Sequence, residues 1–243
     1  MKIRSSLSRR EHLTSETRCQ LYALLCRHFS GVDADQFEAD LMAKNWVIQL
    51  WDEADVLVGF STLRVFDASH DGEPCTVVYS GDTIVDPRAW HSWTLSRAWI
   101  HAVLDICRPF GGRPIWWLLI TSGFRTYRFL PVFWREFYPR YDSATPAAID
   151  VFKQQLAREL FGGQFDPDAQ VVRFSRPQQL RGHLQGIDAN RLKDPHVAYF
   201  HTSNPGHERG DELVCITRID ESNLTRAGQR MVSASPTAIG ATR

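Results

Sequence analysis

Apolar and polar positions change period several times along this chain. Over residues 14–29, Leu21, Leu24, Leu25 and His28 recur at helical spacing. Thr14 or Ser15 is placed to cap that helix and Gly31 to end it. A second helix is predicted over 35–44, with Phe37, Leu41 and Met42 inward. The pattern then shifts to strands at 46–51, 57–66 and 76–85, joined by a hairpin connection at 52–55 and a link at 68–74. These strands are apolar on both faces, which suits a sheet covered by helices. Leu95, Ala98, Trp99, Ala102, Val103 and Ile106 form a continuous stripe over 92–107. Pro109 and the Gly111-Gly112 pair stop that helix. The run 114–121 is apolar enough to be a central buried strand. Gly123 turns it into an aromatic helix over 124–138, kinked at Pro131.

The second half is less regular. A helix is predicted over 145–161, ended by Gly162-Gly163, then a short strand at 170–174 and a helical turn at 178–184. Two strands, 196–202 and 212–218, flank the turn-rich segment 203–211. No core-forming pattern follows Met231, and the tail is expected to be disordered. The alternation of strands and helices, with one helix crossing between two neighbouring strands, places the chain in the α/β (α+β) class.

Composition narrows the function. The 243 residues carry 28 Lys plus Arg against 28 Asp plus Glu, a net charge of zero. That argues against a non-specific nucleic-acid binder, which needs a basic surface to release counterions. Five scattered cysteines with no Cys-x-x-Cys pair read as reduced thiols, and no metal site is expected. The basic N-terminus has no apolar segment behind it, so no signal peptide is expected. No run approaches the roughly 18 apolar residues of a membrane span. A soluble, cytoplasmic protein with no membrane partner is the expectation. Serine-hydrolase elbows, phosphate-binding Walker loops, dinucleotide fingerprints and His-Glu-x-x-His are all missing.

The densest chemistry lies in 79–99. A strand runs through the Asp86-Pro87 turn into a helix whose free N–H groups can hold an anion, with Arg88, His91 and Arg97 beside it. Gly81 inside that strand marks a bulge or a close backbone approach. The order strand, Val85-Asp86-Pro87, loop, helix resembles the acyl-donor motif of the GNAT superfamily of N-acyltransferases. Two helices, a three-strand meander, a helix, a strand and a helix also resemble that family's core, over about residues 20–138. The family's loop after Val-Asp-Pro is usually Arg/Gln-x-x-Gly-x-Gly/Ala. Here Trp90, His91, Trp93 and Leu95 stand in it, without glycine.

The resemblance implies a GNAT-like mixed central sheet flanked by helices, with a C-terminal extension or insertion. Residues 1–140 would form the donor-binding core and 141–195 a helical insertion. Residues 196–231 would supply a strand pair and helix completing the sheet, and 232–243 the disordered tail. It implies transfer of an acyl group from a thioester to a small-molecule amine. The donor is acyl-CoA in an altered pose or an acyl-carrier-protein thioester, held by Ile84, Val85, Arg88, Trp90, His91, Ser92 and Trp93. Asp82 is the base candidate, against a satisfied turn carboxylate. Tyr127 is the acid candidate, against a core tyrosine on an aromatic helix. His201, Asn204 and His207, near Asp211 and Glu212, match no standard metal spacing and read as a substrate-facing loop. Arg125, Arg128, Arg135 and Arg140 are a solvated flank or a clamp for an anionic donor. The alternatives are a non-catalytic GNAT-like module binding a ligand or protein, or another enzyme using His201 and His207.

Overall fold

The computed structural model describes residues 2–90 and 93–233. It opens with β1 (Arg4–Arg9), α1 (Ser15–His28), β2 (Phe29–Ser30) and α2 (Ala34–Met42). The meander β3 (Trp46–Trp51), β4 (Leu57–His70) and β5 (Glu73–Val85) follows, then α3 (Thr94–Cys107) and β6 (Ile115–Thr121). The second half holds α4 (Phe124–Tyr127), α5 (Phe129–Phe133), α6 (Ala147–Phe161), β7 (Phe165–Asp166), β8 (Val171–Val172) and β9 (Gln179–Leu180). It closes with α7 (Pro195–Ser203), β10 (Glu212–Ile219) and α8 (Arg226–Ser233). One sheet runs in the order β1-β3-β4-β5-β6-β10-β8-β7. Its β5–β6 pair is parallel and the others are antiparallel. The crossover helix α3 makes that parallel step. This is a mixed central sheet flanked by helices, as the resemblance implies.

Local chemistry accounts for most elements. Thr14 caps α1 by accepting from Thr17 N, and Leu21, Leu24, Leu25 and His28 are its buried face. Asp33 caps α2, which buries Phe37 and Leu41. Met42, expected inward, is 52% exposed because it falls one residue beyond the buried stripe. Strands β4 and β5 run further than the sequence pattern predicts and leave only Asp71-Gly72 between them. Both turn residues have positive φ (52° and 81°), the conformation that matches the twist of a tight hairpin.

Both faces of β6 are buried. Trp117 and Leu119 pack toward α3, where Trp99, Trp117 and Trp134 meet at centroid distances of 4.3, 5.0 and 6.2 Å. Trp116, Leu118 and Ile120 pack toward α6 on the other face. That second face is shared with α1 and α2, which cover Val47, Phe60 and Ile84.

Three expectations are overturned. Residues 196–202 are not a strand but lie in α7, because Asp194 caps it by accepting from His196 N and Pro195 pre-sets its first turn. The outer neighbour of β10 is therefore β8. The aromatic helix of 124–138 breaks into α4 and α5, and the chain is extended from Trp134. Tyr138, restricted by the following proline, instead exchanges backbone hydrogen bonds with Ile216 at 2.8 and 2.7 Å. The strand β1, whose Arg and Ser content hides it, edges the sheet against β3. Part of the segment 178–184, expected as a helical turn, is β9, pairing with β2. Gly31 and Gly210 (φ 75° and 91°) let residues 177 and 178 pass where any Cβ would meet a backbone oxygen at 2.7 Å. This strap ties the end of α1 to the loop before β10.

The tail beyond Ser233 lies outside the described residues. Val232 and Ser233, expected in that tail, end α8. Among the described residues no helix is long and apolar enough to cross a membrane.

Gly72 has no heavy atom within 4 Å of an added Cβ, so a side chain there meets strain without a clash. Gly72→Val is expected to cost about 1–2 kcal/mol, read from the denaturation midpoint, with an unchanged circular dichroism spectrum.

Candidate active site

Strands β5 and β6 pair from Thr76↔Ile115 to Ser80↔Leu119 and then part. Beyond that point β5 continues to Val85 bonded to β4, and β6 continues to Thr121 bonded to β10. The cause is a bulge. Ser61 pairs with Thr83 and Leu63 with Ser80, so Thr62 alone faces both Gly81 and Asp82. The extra residue bends the strand and increases its twist.

The bulge also changes which side chains face inward. Before it, Cys75, Val77 and Tyr79 point to the α6 side; after it, Ile84 points to the α1–α2 side. These are one face of the sheet, since Phe60 and Phe66 alternate onto it along β4. Odd positions are inward before the bulge and even positions after it. Asp82 therefore shares a face with Tyr79.

Lys44, just past α2, lies across this point and is buried. A Cβ on Gly81 would sit 2.5 Å from Lys44 Cε, 2.9 Å from its Nζ and 2.9 Å from Thr62 Oγ1. Only glycine leaves that space. The ammonium donates to Asp40 O at 3.1 Å and stands 5.2 Å from the Tyr79 ring centroid. Thr62 Oγ1 is buried with no hydrogen-bond partner among the described residues.

Electrostatics set these groups apart from ordinary surface charges. Burial pushes the Asp82 carboxyl up to about 6, with Lys44 pulling it back and Asp40 adding to the rise. Burial likewise pushes Glu212, the first residue of β10, up to about 8, reinforced by the Asp82 and Asp40 carboxylates. Lys44 is lowered by its own burial against the attraction of Asp82 and Asp40. Burial raises the Tyr79 phenol well above its ordinary value. Asp82 and Glu212 still keep part of their surface open to solvent. Protein crowds the rest of each carboxyl. Both carboxyls are pushed toward the protonated form, Glu212 further than Asp82, and such a separation suits acid–base chemistry.

The loop after β5 is held by its own side chains. Asp86 is buried and accepts from Arg88 N and Nε, both at 3.0 Å, and from Arg27 at 3.4 Å; His28 Nε2 lies at 3.5 Å. Burial would raise Asp86, but the Arg88 hydrogen bonds outweigh it and bring it down to about 2. Trp90 donates its indole N–H to Val85 O at 2.9 Å, with the Arg125 guanidinium 4.7 Å from its ring centroid. Trp93 is 56% exposed and precedes α3 without a side-chain cap. The Ile84 side chain is buried among α1 and α2 and its backbone is paired with Phe60 of β4, so Ile84 has no group turned to a donor. His91 and Ser92 lie outside the described residues.

Other sequence candidates fall elsewhere. Tyr127 is fully buried beside Phe137 and Phe200, and its hydroxyl donates to Pro139 O at 3.0 Å. It is a core tyrosine, and its acid role is withdrawn. Asn204 is fully buried and holds the loop together, its Nδ2 donating to Asp211 O at 2.7 Å. His207 is buried against Phe200, 3.3 Å from the exposed His201. None of these three contributes to the charge of Asp82 or Glu212. Among the described residues no group of three or more His, Cys, Asp or Glu could hold a metal. The four arginines are not one clamp: Arg128 pairs with Asp194 at 3.1 Å and Arg140 with Asp142.

Sequence reasoning missed Asp40, Lys44 and Tyr79 and gave Glu212 to the wrong cluster. One signal was available. Glu212 has the parity of Val214 and Ile216 along β10, and an acid at an inward strand position invites a functional reading.

No family model and no curated protein matches this chain. Solved structures similar to it include a GNAT family N-acetyltransferase (YhbS) from Escherichia coli in complex with CoA. It is 18% identical, with TM-score 0.37 over 53% of this chain and 69% of that one. A conserved protein of unknown function from Enterococcus faecalis V583, a probable N-acyltransferase, is 11% identical with TM-score 0.44 over 90% and 66%. Escherichia coli ElaA is 15% identical with TM-score 0.39 over 60% and 95%.

A carboxyl raised on folding binds more protons in the native state, so stability falls as pH rises from its unfolded to its folded pKa. For Glu212 that window is about 4.5 to 8. Glu212→Gln should match the wild type below it and exceed it by on the order of 1 kcal/mol or more at about pH 9, in denaturant titrations at both pH values. Lys44→Met removes the cation that lowers Asp82, and carboxyl NMR titration should then place Asp82 above about 6.

Proposed function

We propose that the chain is an N-acyltransferase that passes an acyl group from a thioester to a small amine in this cleft. The observation that carries the reading is the parting of β5 and β6 directly at Asp82. Where two central strands separate, their facing edges offer unpaired peptide groups to an extended ligand with amides of its own, such as a pantetheine arm. Coenzyme A and an acyl carrier protein both present that arm as a thioester. Arg88 and Arg125 are cationic side chains near the α3 end of the split.

The acceptor would arrive as an ammonium ion, attracted by Asp40 and Asp82. Asp82 takes its proton, and Lys44 keeps that carboxylate ionised enough to do so near neutral pH. The amine that remains attacks the thioester carbonyl. Glycine in β5 gives Lys44 its place and so supports the base indirectly.

A second reading, a non-catalytic binding module, is favoured by the Trp90 indole, which occupies the Val85 carbonyl at the end of the split. The loop's lack of glycine points the same way. Thermal shift across acetyl-CoA, long-chain acyl-CoA, free CoA and phosphopantetheine separates the two, since a ligand of the native state raises its melting temperature. Transfer predicts a shift that Trp93→Asp abolishes. It also predicts a loss of about 10²–10⁴-fold in turnover for Asp82→Asn at unchanged fold. The reading is sunk if neither acyl-CoA nor acyl carrier protein binds and Asp82→Asn changes no activity.

A further inference from the structure

We propose that Glu212 is a second catalytic carboxyl, the acid that protonates the departing thiolate on the far side of the split from Asp82. The inference rests on the acyl-transfer reading above and adds a residue to it.

Position is the first argument. Leu213 pairs with Thr121, the last residue of β6, so Glu212 begins β10 where β6 has ended and no strand stands between it and the opening. The last β5–β6 pair is Ser80↔Leu119, so Asp82, just past the bulge, lies near the level of Thr121. Orientation is the second. Val214 and Ile216 pack with Tyr79 on the α6 face, and strand alternation puts Glu212 there too. The bulge has turned Asp82 onto that same face. Two carboxyls therefore flank one opening.

Their partners are the third argument. Neither carboxyl makes a hydrogen bond or ion pair with another described side chain, whereas other acids in this protein that are buried or half-buried do. Asp86 is held by Arg88, and Asp150 by the buried Lys153 at 3.1 Å. Thr62 Oγ1, buried beside Gly81, is also unpartnered among the described residues. Polar groups left unpaired at a cleft are those a ligand can complete. The charged and titratable groups acting on Glu212 are Asp82 from β5 and Asp40 and Lys44 from α2 and its end. Tyr79 shares its surroundings. Burial and then the two carboxylates favour its protonated form, Lys44 opposing them, so Glu212 is the carboxyl placed to hold a proton for donation.

The step balances. Asp82 takes one proton from the ammonium substrate, and the free amine forms the C–N bond. The C–S bond then breaks, its electron pair goes to sulfur, and the Glu212 carboxyl protonates that sulfur. The remaining extra proton on the new amide nitrogen returns to Glu212. The proton on Asp82 leaves to water, so one amide, one thiol and one proton are produced.

The test compares leaving groups. Thiol release is followed for wild type and Glu212→Gln with acetyl-, octanoyl- and palmitoyl-CoA, against S-phenyl thioesters of the same acids. The acceptors are polyamines, amino sugars and amino-acid α-amines. An alkyl thiolate needs the proton, whereas thiophenolate leaves without it. Glu212→Gln is expected to slow the CoA thioesters about 10²-fold and to lose the alkaline limb of the pH profile, with the phenyl thioesters nearly unaffected. Equal losses on both donors, or no loss on either, overturn the role of Glu212 while leaving acyl transfer standing. No thiol release by the wild type from any of these donors, nor from an acyl-carrier-protein thioester of the same acids, overturns the transfer reading and this role with it. Should Glu212→Gln not fold, Glu212→Asp keeps an acid one methylene shorter. It must show the same selective loss in weaker form, and equal losses on both donors overturn the role.

Discussion

One extra residue in β5 organises both the opening of the sheet and the chemistry along it. Gly81 and Asp82 together oppose Thr62, and the surplus bends β5 away from β6 just after their last pair. The same surplus shifts strand alternation by one, turning Asp82 to the face that carries Tyr79 and Ile84. Without a side chain at Gly81, Lys44 can lie over the strand and bring an ammonium to the carboxyl the bulge has exposed. A split edge, an inward acid and a nearby cation thus share one backbone irregularity.

The cleft works by desolvation under restraint. Burial alone would neutralise both carboxyls, and a lone buried lysine would tend to lose its proton. Placed together, they divide the effect. Burial raises Asp82 only to about 6 because Lys44 opposes it, while burial raises Glu212 to about 8 with the neighbouring carboxylates adding their repulsion. The two titrations are coupled, and changing one residue must move the other.

The loop leading into α3 solves a different problem. Where the resembled family uses glycine to bring backbone close to a phosphate, this chain anchors the turn through Asp86 to Arg88, Arg27 and His28. Trp90 then folds back onto Val85. Side chains of its described residues, rather than glycine backbone, make the contacts that hold the start of this loop. The strap at 177–181 adds a tie from α1 to the loop before β10, which helps hold Glu212 across from Asp82.

Short-range pattern by itself determined much of this molecule. The periods at 14–29, 46–51 and 92–107 and the apolar run at 114–121 all specify elements that form, since each buries one stripe or both faces of a local segment. Val85-Asp86-Pro87 and Gly81 pointed to the strand, the bulge and the split. Tertiary structure decided the rest. A tyrosine such as Tyr127 looks the same in sequence whether it lines a cleft or accepts burial, and only its neighbours Phe137, Phe200 and Pro139 O distinguish them. Residues 196–202 are apolar enough for a strand, yet the Asp194-Pro195 start and the packing of Val197 and Phe200 make a helix. Lys44, Asp82 and Glu212 lie far apart along the chain. Their shifted acidities arise from mutual proximity in a poorly solvated space, a property that no residue carries in the sequence and that folding alone creates.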